Sequence, residues 1–168
     1  MAIIGPESTG KSTLCTQLAE YYKTAWVPEY AREYLLKYGP SYTYDDLLCI
    51  AKKQLELEDL YAAKASHGLL FVDTEMYVMK IWCEFVFGKT HQWILDQIAS
   101  RTYDLYLLCN IDLPWTRDEL REYPDLKPRQ QLFNMYKDNM INQHVPWKII
   151  EGTEDERIKS AVNAVEQL

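Results

Sequence analysis

The run Gly5-Pro6-Glu7-Ser8-Thr9-Gly10-Lys11-Ser12-Thr13 combines residue types that can hold a polyphosphate. It follows the spacing G-x-x-x-x-G-K-[ST] of a phosphate-binding P-loop. Gly5 and Gly10 allow backbone torsions that a Cβ disfavours, and Gly10 lets the main chain come close to a ligand. The turn between them can present consecutive N–H groups inward as an anion-binding nest. A helix opening directly after the loop adds unpaired N–H groups and a partial positive charge. In that setting Lys11 is a point charge for the outer phosphates of ATP, and Ser12 offers a hydroxyl to Mg²⁺. The flanks agree: Ala2-Ile3-Ile4 is apolar and strand-like, and Leu14, Cys15, Leu18, Ala19 and Tyr22 recur at helical spacing.

Chemistry on a bound phosphate needs acids and further cations. Asp73 closes the apolar run Leu69-Leu70-Phe71-Val72. A carboxylate facing a core is costly unless something pairs with it. Asp73 is therefore a candidate Mg²⁺ ligand, directly or through water, like the acid of a Walker B strand; capping of the next helix is the plainer alternative. Glu29 follows Pro28 at the end of a second short strand. It could accept the proton of an attacking hydroxyl or hold a ribose by its hydroxyls, or it could simply suit the dipole of a helix start. Arg32 shares its helical face and could be a salt-bridge partner or a phosphate contact.

Arg117 and Arg121 lie four apart in Asn110–Pro128, a stretch rich in proline and charge. That stretch could be a mobile lid over the phosphate site, or simply a solvated surface excursion. If it is helical, both arginines point the same way, and a guanidinium there can stabilise a migrating phosphoryl group. His67, His91 and His144 lack zinc-like spacing. His91 and Lys89, within Gly88-Lys89-Thr90-His91, are further candidates for touching a substrate.

Positioning these residues takes a regular framework. Strands are expected at Ala2–Ile4, Ala25–Val27, Leu69–Val72, Tyr103–Cys109 and Trp147–Ile150. Helices alternate with them: Ser12–Lys23, a short one opening at Glu29 and stopping near Gly39-Pro40, and a long one from Thr43. Further helices cover Glu75–Phe87, a stretch beginning near His91, Gln130–Asn142, and the C-terminal stretch after Thr153. Thr43 with Asp46, and Thr153 with Glu156, have the spacing of capping boxes. Leu48, Ala51, Leu55 and Ala62 form the apolar stripe of the long helix, with Lys52, Lys53, Glu56 and Asp59 on its solvated side. Alternating strands and helices imply an α/β fold with a parallel sheet between helical layers. Ligands of such a sheet gather outside the carboxyl ends of its strands, where the loop, Glu29, Asp73 and the 110–128 stretch all fall. Only Met1–Ile4 precede the loop, so the first strand is either clipped or continued by a chain that begins upstream.

With 168 residues, 48% of them hydrophobic, the chain suits one domain with one core. Its net charge of −7 argues against a general nucleic-acid partner, since phosphate backbones demand basic surface. A small-molecule site needs only local positive charge. Cys15, Cys49, Cys83 and Cys109 form no C-x-x-C pair and lie in apolar stretches, which reads as buried free thiols in a reducing cytoplasm. No apolar run is long enough to span a membrane.

Taken together, Gly-Pro-Glu-Ser-Thr-Gly-Lys-Ser-Thr-Leu, Val-Pro-Glu-Tyr-Ala-Arg-Glu, Val-Asp-Thr-Glu, Phe-Gly-Lys-Thr-His and Pro-Trp-x-x-Asp-x-x-Arg resemble the nicotinamide riboside kinase domain of NadR-type bacterial proteins. The likeness spans roughly residues 2 to 165. It implies a P-loop kinase related to the nucleoside-monophosphate kinases, with a five-stranded sheet, and ATP-dependent phosphorylation of nicotinamide riboside in NAD salvage. By matching position it implies that Gly5, Glu7, Ser8, Thr9, Gly10, Lys11, Ser12 and Thr13 surround the ATP phosphates and Mg²⁺. It likewise places Glu29, Tyr30 and Arg32 by the riboside, Asp73 at the reaction centre, and Arg121 in the lid with Trp115 and Asp118 alongside; Asp73, Lys89 and Trp115 are further candidate substrate contacts. No H-x-G-H-like element supports adenylyl transfer. The rival readings are a kinase for another nucleoside or nucleotide, and a regulatory ATP-binding module. A GTP switch is disfavoured, because N-K-x-D is absent and Asp73 is not in a D-x-x-G.

Overall fold

The computed structural model describes residues 1–168. Five strands pair in parallel: β1 (Ala2–Ile4), β2 (Trp26–Val27), β3 (Phe71–Asp73), β4 (Tyr106–Cys109) and β5 (Trp147–Ile150). Their spatial order is β2-β3-β1-β4-β5, which puts the strand that feeds the phosphate loop at the centre. Seven helices connect them: α1 (Lys11–Tyr22), α2 (Tyr30–Tyr38), α3 (Tyr44–Ala62), α4 (Met76–Phe87), α5 (Gln92–Ser100), α6 (Leu126–Ile141) and α7 (Glu154–Val165).

The alternation of the strands divides the core. Ile3, Phe71, Leu107, Cys109 and Ile150 face Leu14, Leu18, Ala161 and Val165 of α1 and α7. Ala2, Ile4, Tyr106 and Leu108 face Val78 and Ile81 of α4 and Leu132, Phe133 and Tyr136 of α6. Successive strand side chains point to opposite faces, so an apolar strand glues one helical layer to each side. A third cluster packs α2, α3, α4 and α5 together through Ala31, Leu47, Ile50, Met76, Met79 and Ile94.

Both expected capping boxes form, Thr43 with Asp46 and Thr153 with Glu156. Four expectations shift. The buried face of α3 is Leu47, Ile50, Ala51, Gln54, Leu55 and Glu58; Ala51 and Leu55 of the expected stripe lie on it, Leu48 is half-buried at its margin, and Ala62 is exposed. Cys49 falls opposite that face and is exposed, whereas Cys15, Cys83 and Cys109 are buried. Helix α6 begins at Leu126, so Pro128 sits in its first turn, where a missing N–H removes no intrahelical bond. The segment from Asn110 to Asp125 contains no helix, so Arg117 and Arg121 share no helical face. No helix is long and apolar enough to cross a membrane.

Candidate active site

The loop between β1 and α1 is a sharp ring. Gly5, Ser8 and Gly10 all have positive φ, at 138°, 57° and 78°. The Thr9 hydroxyl donates to the Pro6 carbonyl at 2.7 Å and closes the turn. The Lys11 ammonium donates to the same carbonyl at 3.0 Å. Gly10 is the residue before α1, so the loop's amides and the helix N-terminus converge on one spot.

Beneath the ring lies the end of β3. The Ser12 hydroxyl donates to Asp73 Oδ2 at 2.5 Å. Asp73 Oδ1 is buried and has no hydrogen-bond partner. Burial, reinforced by the nearby Glu29 carboxylate, pushes the Asp73 carboxyl up to about 6, against the pull of Lys11 and Ser12. A hydroxyl beside a carboxylate with an unfilled oxygen suits a hard divalent cation that keeps waters and phosphate oxygens in its shell. No cluster of three or more His, Cys, Asp or Glu side chains offers a fuller cage.

Gln54 of α3 sets the spacing of the two acids. Its Oε1 accepts from the Tyr30 N–H at 2.7 Å, and its Nε2 donates to the carbonyls of Pro28 (3.2 Å) and Asp73 (3.4 Å). The ends of β2 and β3 are thereby held to one amide, with Glu29 on one side and Asp73 on the other.

A cavity of about 300 Å³ opens above the loop. Its floor is Gly5–Thr13, and Glu29 and Arg32 stand on one wall. Val78, Trp82 and Phe85 of α4 and Leu132 and Tyr136 of α6 make an apolar, aromatic wall, and Leu120, Arg121 and Tyr123 close the top. Glu29 forms no hydrogen bond or ion pair within the protein and faces this space.

The 110–125 segment is anchored to the loop. Glu7 accepts from the Trp115 indole (3.0 Å) and from the N–H groups of Glu122 (2.9 Å) and Tyr123 (2.7 Å). The Ser8 hydroxyl accepts from the Thr116 N–H (2.9 Å) and from Arg121 Nη1 (3.3 Å), which also donates to the Thr116 carbonyl at 2.6 Å. Arg32 grips Asp118 with both nitrogens at 3.1 and 3.0 Å. Their hydrogen bond holds Asp118 below the usual carboxylate range and raises Arg32.

The structure thus brings together the whole loop, Glu29, Arg32, Asp73 and Arg121. Four other candidate substrate contacts do not line this cavity. Tyr30 packs against Tyr34, 6.3 Å between ring centroids. Lys89 lies over the Tyr44 ring at 4.3 Å, where its charge meets an aromatic face. His91 stacks on the same ring at 3.6 Å. Trp115 turns its indole N–H to Glu7.

Residues that motif spacing did not flag complete the surroundings. Gln54 is one; a fully buried amide on an apolar stripe was its only trace. Thr74 is another: a β-branched residue at φ 74°, with a buried hydroxyl lacking a partner, directly after Asp73. For such a residue positive φ is a real outlier. Arg157 of α7 is a third. It is buried and donates to the carbonyls of Thr9 (3.0 Å), Asn110 (3.2 Å) and Gly152 (3.1 Å), and it pairs with Asp112.

Known proteins are similar to this chain in sequence and fold. The family described as "AAA domain" matches residues 1–157. Over its full length the chain is 27% identical to the trifunctional NAD biosynthesis/regulator protein NadR of Escherichia coli K12 and covers 42% of that protein. The chain therefore spans less than half the length of the curated relatives it matches. Among solved structures, a NadR protein in complex with NR is similar with a TM-score of 0.73 at 20% identity, covering 99% of this chain and 50% of the other. A NadR structure with NAD and AMP-PNP gives 0.71 at 19%, covering 99% and 48%. Thymidylate kinase from Ehrlichia chaffeensis gives 0.66 at 16%, covering 99% and 97%. The fold is that of the P-loop kinases, and by the match over residues 1–157 the chain belongs to the AAA domain family.

Proposed function

We propose that this chain transfers the γ-phosphoryl group of ATP to the 5′-hydroxyl of a riboside, with nicotinamide riboside as the acceptor. The observation that carries the reading is the unpaired Glu29 carboxylate, facing a cavity walled by Trp82, Phe85 and Tyr136, beside the phosphate loop. A cationic pyridinium ring favours aromatic faces and a nearby carboxylate. A phosphorylated acceptor would instead need a free cation. Arg32, the cation on the same wall as Glu29, is already paired with Asp118. The likeness to NadR, and the NR-bound and AMP-PNP-bound NadR structures, support the same pairing of donor and acceptor.

In this reading the loop amides, the α1 N-terminus and Lys11 hold the triphosphate. Ser12 and Asp73 would hold Mg²⁺, which supplies charge neutralisation across the phosphate oxygens when bound. Glu29 is an unpaired carboxylate on the cavity wall next to the loop, so it orients the acceptor hydroxyl and takes its proton. The 110–125 segment acts as a lid, with Arg121 stabilising charge on the migrating group. Phosphoryl transfer depends on positioning and electrostatics more than on covalent catalysis, which this residue set can provide.

The likeness to thymidylate kinase favours a second reading, a kinase for another nucleoside or nucleotide. ATP turnover with nicotinamide riboside, thymidine, thymidylate and nicotinamide mononucleotide separates the two. Product from nicotinamide riboside that disappears in Lys11→Ala is the expected result. Turnover of mononucleotides alone would sink the riboside reading.

A further inference from the structure

Two arginines are buried in this fold, and only one has a counter-ion. Arg157 is 4% exposed and pairs with Asp112. Arg129, in the first turns of α6, is 5% exposed, and none of the ion pairs of the fold includes it. Its guanidinium has only long contacts to two carbonyls, Ser8 at 3.5 Å and Leu113 at 3.4 Å. Its Nε is buried without any partner.

A buried cation with no anion is unfavourable, because desolvation is not repaid by a partner charge. Burial accordingly lowers its pKa, with the Arg121 guanidinium adding to the strain and the Glu7 carboxylate only partly opposing it. Glu7 is the acid that influences it, and Glu7 is already taken up by three N–H donors of the 110–125 segment. The field of Arg129 therefore falls on the loop whose Ser8 carbonyl it touches, the same loop that lines the cavity floor.

We propose that Arg129 is a positioning residue whose missing counter-charge is the donor's phosphate chain: it holds Ser8 and Leu113 in place and gains its electrostatic partner only when a polyphosphate enters the loop. The idea rests on the donor half of the reading above and not on the identity of the acceptor. In a low-dielectric setting such a charge acts over several ångströms without contact. It also fits the arrangement of the segment, since the arginine reaches both the loop and Leu113.

The test is a ladder of ligands with falling charge. AMP-PNP, AMP and adenosine are titrated calorimetrically, with Mg²⁺ present, against wild type, Arg129→Met and Arg129→Lys, and the melting temperature of each is taken without nucleotide. Arg129→Met should melt at or above the wild-type temperature, because an apolar side chain replaces an unpaired buried ion. It should bind AMP-PNP at least about tenfold more weakly, AMP less so, and adenosine within about twofold. Arg129→Lys, which keeps the charge, should recover most of the AMP-PNP affinity. Equal losses for all three ligands, unchanged AMP-PNP affinity, or unfolding of either variant without nucleotide would each overturn the proposal in favour of a purely structural arginine. Wild type that fails to bind AMP-PNP would remove the donor reading itself, whereas wild type that binds it but ignores nicotinamide riboside leaves Arg129 tested on its own terms.

Discussion

The two glycines of the phosphate loop should fail differently when each receives a methyl group. Gly5 has φ 138°, and a Cβ there would sit 2.8 Å from the backbone carbonyl oxygen of Cys109 on β4. That oxygen faces β1, on a strand whose other side is held to β5 by pairing at Cys109–Ile150 and by the Asn110 N–H donating to the Ile150 carbonyl, so the backbone has little room to retreat. The torsion alone is worth about 1–3 kcal/mol, and forcing backbone apart adds about 1–3 kcal/mol. A smaller opposing contribution, about 0.4–1 kcal/mol, comes from the stiffer unfolded chain. Gly5→Ala should therefore lose about 3 kcal/mol of stability. Gly10 has φ 78°, and its Cβ would meet only Leu113 Cδ1 at 3.1 Å, the far end of a flexible side chain. Gly10→Ala should lose about 1 kcal/mol.

For a chain of this length those losses correspond to shifts in Tm of roughly 6–12 °C and 2–4 °C. Urea unfolding and thermal melts of the two variants and wild type measure the difference, and an AMP-PNP titration of each shows whether binding follows stability. Gly10 fronts both the cavity and the α1 N-terminus, so its variant should lose more affinity than its modest loss of stability suggests. Equal destabilisation of the two variants would refute the reasoning, because it would mean that the carbonyl of Cys109 yields as readily as a leucine methyl.

Other perturbations probe the acids and the lid. Glu75, fully buried after Thr74, has its carboxyl pushed by burial from 4.5 up to about 8, even though the Tyr77 and Val78 amides favour its charge. The folded value lies above the unfolded one, so its contribution is complete below 4.5 and is lost as pH rises toward 8; wild type should lose about 2–3 kcal/mol from this group between pH 5 and 7. Glu75→Gln should flatten that difference in parallel urea titrations, and curves that stay parallel would contradict it. Glu29→Gln should lower kcat at least about 100-fold while leaving Tm unchanged, and a variant with wild-type turnover removes Glu29 as the base. Asp73→Asn should lose activity yet unfold no earlier than wild type, since the buried negative charge is removed while an oxygen that can accept from Ser12 is kept; early unfolding would show that Asp73 is structural. Glu7→Ala deprives three N–H donors of their acceptor, so amide exchange at Glu122 and Tyr123 should quicken about tenfold; unchanged exchange would mean the lid is held from elsewhere.

What the sequence made legible is what depends on neighbours in the chain. The loop, the capping boxes at Thr43 and Thr153, and the apolar runs of β3 and β4 are local patterns, and their physics acts within a few residues. Strand ends then located Glu29 and Asp73, because a parallel sheet collects its ligands on one edge. The fine structure of the site was not local. Arg32 meets Asp118, and Glu7 meets Tyr123, across most of the chain, and no spacing announces such pairs. Lys89, His91, Tyr30 and Trp115 sit in segments that resemble a known family, and their side chains meet Tyr44, Tyr34 and Glu7, partners that no spacing announces. The helix expected from Gln130 begins at Leu126 instead, since Pro128 falls in the first turn, where its missing N–H removes no intrahelical bond.

The turn Asp73-Thr74-Glu75 shows where this fold departs from the preferences of its own sequence. Three polar residues in a row are buried at 1% exposure or less each. One carries a positive φ that a β-branched side chain disfavours, two have side-chain oxygens without partners, and both acids have raised pKa values. Each departure is unfavourable by itself, and a sequence selected only for stability would relieve it with glycine or an apolar residue. They persist together at the end of β3, below Ser12 and beside Glu29, where the central strands open onto the cavity. Strain and unmet polar groups are thus concentrated at one point in a framework otherwise built from consistent local choices, which is the pattern a ligand site would produce.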